Sequence, residues 1–174
     1  MEFTSDVLLK GSNWKKAIDG LQPFLDKSMQ PNYAVYVIAV SIGIMYDKQS
    51  DIAGTLENVN DDSLTVPRTV LHNHSSDIEF LFQTAILTSS LTDLEKKQKM
   101  DLAFNSSSKI EFKKMEFLTK FANFGVGVIL EQISDNAIET MENIKEFIVR
   151  TFEGKNYSVY GISDDDLDIN DLDN

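Results

Sequence analysis

Residues 33 to 46 read YAVYVIAVSIGIMY, fourteen positions with no charge and a single serine. Such a run must be shielded from water on every side. It is too short to span a bilayer, which takes about 20 apolar residues. It is too long for one ordinary strand of about 5–6 residues. Its valines and isoleucines favour a strand, but its length and lack of alternation predict a buried central helix. A helix that is apolar all round has to be surrounded by other elements. Gly43 within it would let a second backbone approach closely.

The flanking segments supply candidates for that surround. Trp14, Ala17, Ile18, Leu21, Phe24 and Leu25 recur at helical spacing, with Ser12 as the expected cap and Pro23 expected to kink or end the helix. Ser76 and Glu79 have the spacing of a capping box, ahead of a helix that buries Ile78, Leu81, Phe82, Ala85 and Ile86. Leu91 to Phe104 predicts a further short helix, broken by Asn105 to Ser108. From Lys109 onward, Ile110, Met115, Leu118, Phe121, Ala122, Val126 and Ile129 share one broad face. Gly125 and Gly127 fall inside this pattern, and each costs about 1 kcal/mol against alanine in a helix. Either the chain turns there or another helix crosses too closely for a side chain. Ser134 or Asp135 is expected to cap a last helix, with Ile138, Met141, Ile144, Phe147, Ile148 and Phe152 on its apolar face.

Residues 47 to 67 are rich in Asp, Asn, Ser and Gly and read as a long connection. A small hairpin is expected within 47–71, around Asn60-Asp61-Asp62. The expected fold is mainly α: a single-domain bundle of five or six helices over residues 1–162, followed by an acidic tail over 163–174. At 174 residues and 42% hydrophobic content, the chain can bury a real core.

Charge and composition narrow the function. The net charge is −12, and residues 151 to 174, with 7 acids and 1 base, contribute −6 of it. A field of this sign repels a phosphate backbone, so direct nucleic-acid binding is disfavoured. The best basic candidates, Lys96, Lys97 and Lys99 with Lys109, Lys113, Lys114 and Lys120, have Glu95, Asp101, Glu111 and Glu116 beside them and read as a mixed-charge solvated face. There is no cysteine, which removes disulfides, thiolate metal sites and cysteine nucleophiles. No apolar run is long enough for a membrane span, and acids precede the first lysine where a signal peptide would be basic. The chain therefore reads as soluble and cytoplasmic. Abundant Asn, Lys and Ile with only two arginines suggest an AT-rich bacterium or phage.

Catalytic groups are sparse. His72 and His74 could bind a metal with Asp77, but a catalytic zinc takes three protein ligands in fixed geometry. A Ser–His–Asp reading through Ser75 or Ser76 asks neighbours in sequence to converge as triad members do. Helix capping accounts for the cluster more simply. Gly125-Val126-Gly127 is a fragment of a phosphate-binding pattern without the lysine or serine to hold phosphate. Close packing accounts better for Gly43, Gly125 and Gly127. No residue is assigned to catalysis, to a metal or to a cofactor.

The tail, SDDDLDINDLDN, fails as a calcium loop because Asp171 stands where glycine is required and the twelfth position is missing. Solvation and docking remain. In docking, Leu167, Ile169 and Leu172 would enter apolar pockets while Asp164, Asp165, Asp166 and Asp168 meet basic groups.

Three segments carry a resemblance: VYVIAVSIGIMYDKQSDI at 35–52, IEFLFQTAILTSS at 78–90 and MEFLTKFANFGVGVILEQI at 115–133. Their order and spacing resemble small accessory proteins encoded beside bacterial DNA phosphorothioation loci, the Dnd-associated proteins. The family's aromatic-Ala-Asn-x-Gly signature and following leucine would fall on Phe121, Ala122, Asn123, Gly125 and Leu130. The resemblance covers about half the chain and brings no catalytic residue with it. Size and character are also similar to small middle subunits that accompany ABC-type ATPases in related defence systems. What this implies is a non-catalytic adaptor of a prokaryotic antiphage complex, docked to a larger ATPase or nuclease subunit. Two other classes stay open: an acidic DNA mimic that occupies a basic groove, and a small metal- or His-dependent enzyme built on residues 72–77.

Overall fold

The computed structural model describes residues 3–55 and 64–154. In chain order these hold β1 (Val7–Leu9), α1 (Ser12–Leu21), α2 (Pro31–Met45), β2 (Leu64–Val66), α3 (Arg68–Asn73), α4 (Ser75–Thr88), α5 (Lys96–Phe104), α6 (Lys114–Leu130) and α7 (Ala137–Phe152). The fold is mainly helical, as its periodicity predicts, with seven α-helices among the described residues where five or six were expected. The additional helix is α3, a short element separated from α4 by His74 alone. Packing divides the chain into two compact units, Met1–Glu131 and Gln132–Asn174.

In the first unit α2 is the hub, although it is not shielded on every side: Ile38 and Ser41 on one stripe are exposed. Tyr33, Val35, Tyr36, Ala39, Val40 and Gly43 are all buried. Its main partner is α6, which runs antiparallel to it and buries Leu118, Phe121, Ala122, Val126 and Ile129. Helix α4 runs parallel to α2: Tyr33 meets Asp77 near their first turns, and Asp47 meets Ser90 just past their last. Helix α5 returns antiparallel along α4, pinned by Gln83 Nε2 donating to Ala103 O at 3.0 Å and Lys99 Nζ donating to Ser89 O at 2.6 Å. Phe82, Phe112, Phe117 and Phe121 form a chain of tilted and edge-on rings with centroids 5.0–6.4 Å apart.

Strand β2 pairs antiparallel with β1, Val7 opposite Val66 and Leu9 opposite Leu64. The strand found in the 47–71 region thus takes its partner from the start of the chain. Burial explains the choice: Val7, Leu9 and Val66 all turn into the core. The hairpin turn expected at Asn60-Asp61-Asp62 lies outside the described residues.

Helix starts differ from the sequence expectation in several places. Ser12 is the first residue of α1, and its hydroxyl accepts from Thr55 N at 3.3 Å instead of capping its own helix. Helix α4 begins at Ser75 and has no side-chain cap, so Ser76 and Glu79 form no capping box. That motif sits on α5, where Glu95 and Gln98 reciprocate. Residues 91–95 and 109–113 are not helical, so α5 and α6 start later than their apolar patterns do. Helix α1 stops at Leu21, just before Pro23 as expected. Helix α6 continues unbroken through both glycines, which excludes a turn there.

The second unit is described through α7. Asn136 is its cap, accepting from Ile138 N at 2.9 Å; Ser134, one of the expected caps, instead accepts from Asn136 N at 3.2 Å. The Thr140 hydroxyl accepts from Ser134 N at 3.0 Å, and Asn143 Nδ2 donates to Gln132 O at 3.3 Å. Residues 132–136 are thereby tied to one side of the helix. No helix among the described residues is long and apolar enough to cross a membrane.

Candidate functional site

The residues singled out by sequence fall in different places. Asp164, Asp165, Asp166, Leu167, Asp168, Ile169 and Leu172 lie outside the described residues. The glycines separate into two kinds. A Cβ on Gly43 would overlap the Phe121 carbonyl, and a Cβ on Gly125 would overlap the Ala39 carbonyl. Ala39 and Gly43 are one helical turn apart, as are Phe121 and Gly125, so the two antiparallel backbones touch at two successive levels. Gly127 was grouped with these by sequence, but nothing lies within 4 Å of where its Cβ would be. Its neighbour in the GxG fragment makes the crossing; Gly127 does not.

Asn123 also takes its meaning from this crossing. Its Oδ1 accepts from Trp14 Nε1 at 3.1 Å, and its Nδ2 donates to Ser50 O and Asp51 O at 3.1 and 3.0 Å. One buried amide therefore ties α1, α6 and the segment after α2. Of the positions that carried the family resemblance, Phe121, Ala122, Asn123 and Gly125 are buried and have packing roles, while Leu130 is half-buried.

The 72–77 cluster is partly brought together. His74 Nδ1 lies 3.2 Å from Asp77 Oδ2, and the Tyr33 hydroxyl donates to the same oxygen at 3.4 Å. The His74 ring stacks on Tyr33 with centroids 4.4 Å apart. Burial pushes the Tyr33 phenol up to about 12, and the charge of Asp77 and the hydrogen bond to it act in the same direction. His72 instead sets its ring edge-on to Phe3 at 5.4 Å. Among the described residues no three His, Asp or Glu side chains gather closely enough for a metal ion. Tyr33, which completes the group, is 41 residues from His74 in sequence and gave no signal there.

Four of the seven lysines of the basic candidate, Lys99, Lys113, Lys114 and Lys120, are engaged within the molecule. Lys99 holds Ser89 O, Lys114 donates to Leu102 O at 3.2 Å and lies over the Phe82 ring, Lys113 pairs with Glu116, and Lys120 pairs with Asp51 at 2.9 Å. A cleft of about 460 Å³ is lined by Phe3, Asp6, Lys10, Asp51, Thr119 and Lys120 among others. Three of its charges serve internal contacts: Lys120 pairs with Asp51, and Asp6 accepts from Arg68 N at 2.8 Å at the start of α3.

Exposed apolar side chains stand out more clearly than polar groups. On α4 and α5 these are Phe80, Leu87, Met100 and Phe104, with Phe80 67% and Phe104 62% exposed. The Gln83–Ala103 bond fixes the register of the pair. It brings Phe80 and Phe104 to one end and Leu87 and Met100 towards the middle. Phe80 and Leu87 are two turns apart on the side of α4 opposite Ile78, Phe82, Ala85 and Ile86, which are buried. Sequence reasoning assigned Met100 and Phe104 to a helix but not to its outer face, because α5 lacks a simple amphipathic pattern.

The chain matches no protein-family model, no curated protein and no solved structure.

Proposed function

We propose that this chain is an accessory subunit that works by docking to a larger protein. The observation that carries the reading is the α4–α5 face. Phe80, Leu87, Met100 and Phe104 stand on a rigid two-helix platform that is hydrogen-bonded at both ends. Single exposed apolar residues are ordinary on a protein surface, whereas a group of large ones on one face marks an interaction site. Aromatic and methionine side chains are also the types enriched in interface cores. The defence setting, with an ATPase or nuclease as the larger subunit, rests on the resemblance of residues 35–52, 78–90 and 115–133 to Dnd-associated proteins.

The test is recovery of the tagged chain from its native host at native expression. A larger subunit is expected to co-purify, and the Phe80→Ser/Phe104→Ser variant is expected to lose it while keeping its helical circular dichroism. Recovery of the chain alone would remove the basis of the reading.

A further inference from the structure

The outer face of α7 has its own geometry. Ile138, Met141, Lys145, Ile148 and Phe152 are spaced 3, 4, 3 and 4 residues apart, the a/d repeat of a coiled-coil seam. All five are exposed; Ile138 is 70% and Phe152 88% accessible. The face turned the other way is the one tied to residues 132–136 through Thr140 and Asn143. The stripe runs about 20 Å along the helix at 1.5 Å per residue.

Charge selects the occupant. At about 100° per residue, Glu139, Glu142 and Glu146 fall along one edge of the stripe. Arg150 pairs with Glu146 on that edge at 3.2 Å, leaving it net negative. We propose that this stripe binds an apolar helix of a partner protein whose edge carries Lys or Arg. The proposal rests on the docking reading above and names the partner's chemistry at a second face.

Other occupants fit less well. A second copy in parallel would stack Lys145 on its own equivalent; in antiparallel pairing it would bring Glu142 beside its equivalent. The chain's own tail carries six aspartates and is repelled by the same edge. Nucleic acid and anionic lipid surfaces are repelled likewise, and helices that lie on membranes carry Lys and Arg on the polar face. Lys145 at a single seam position would fix the register of the bound helix.

The experiment uses the full chain and a fluorescent synthetic 18-residue peptide, helical, with leucines on one face and lysines along both edges. A twin with glutamate in place of lysine is the control. Anisotropy should show binding of the lysine peptide at least tenfold tighter than its twin. Met141→Ser/Ile148→Ser should weaken it at least tenfold with helix content unchanged. Glu139→Lys/Glu142→Lys/Glu146→Lys, all at exposed positions, should reverse the preference and decides the matter should the first variant misfold. Equal binding by the wild type and the serine variant would mean adsorption to the acidic tail and would overturn the proposal. So would a wild-type dimer in sedimentation that the serine variant abolishes, since the occupant would then be a second copy. Failure of the lysine peptide to bind the wild type any better than its glutamate twin would sink this proposal while leaving the docking reading at α4–α5 intact.

Discussion

Gly43 and Gly125 are where two backbones meet, and the demand there is steric. The carbonyls of Phe121 and Ala39 occupy the space a Cβ would need. Gly125→Ala is expected to destabilise the fold by about 1–3 kcal/mol, the usual range for overpacking, despite the better helix propensity of alanine. Gly127→Ala meets nothing and should be neutral or stabilising by up to about 1 kcal/mol. Urea unfolding midpoints of the two variants should therefore move in different directions; a shared direction would contradict the crossing. Asp47 gives a second test at this scale. Burial by itself raises its pKa, but hydrogen bonds from Ser90 and Ser89, with Lys99 nearby, hold it below its ordinary value. A depressed carboxylate contributes stability above its unfolded pKa and loses it as the pH falls through the folded one. Asn tolerates the positive φ of 45° at this position, so Asp47→Asn isolates the charge. The variant should cost about 1 kcal/mol at neutral pH, with the difference from wild type closing in acid below the ordinary carboxylate range. A difference that stays constant with pH would assign the bond no ionic part.

At the scale of elements, apolar periodicity was enough to place α1, α2, α4, α6 and α7. In α1, α4 and α6 the repeat is one of buried positions, in α7 it is one of apolar positions that stay exposed, and length separated α2 from a strand. The caps were less legible. A serine three residues before a glutamate is one competitor among several, and the fold gave the box to Glu95 and Gln98. Strand pairing was not legible, because β1 and β2 are three residues each and meet across more than fifty residues of chain. The sense of the last apolar face also escaped sequence. Ile138, Met141, Ile144, Phe147, Ile148 and Phe152 were placed on one apolar face, of which Ile144 and Phe147 are half-buried and the rest exposed; periodicity alone cannot say whether an amphipathic stripe faces its own core or another molecule. The α4–α5 face follows the same logic: helix formation could be read from Met100 and Phe104, exposure could not. Changing Phe80 and Phe104 together is therefore expected to leave the fold intact and act on association, in contrast to core positions such as Phe82, where truncation costs about 3–5 kcal/mol.

For the whole molecule, the proposed docking role accounts for where its polar and large apolar groups lie. Many of its polar groups are internal ties: Asn123 joins three segments, Asp47 joins the ends of α2 and α4, and Lys99, Lys114 and Lys120 hold backbone carbonyls or a carboxylate. Its large exposed side chains gather on α4–α5 in one unit and on α7 in the other. Two separate apolar faces suit a bridging subunit, and avidity through both would exceed either contact alone. The mass of the native particle tests this most directly. Light scattering on the gently lysed native host's fraction should find the 19.6 kDa chain in a particle several times that mass, together with a second protein. A particle of 19.6 kDa at native concentration would contradict the account.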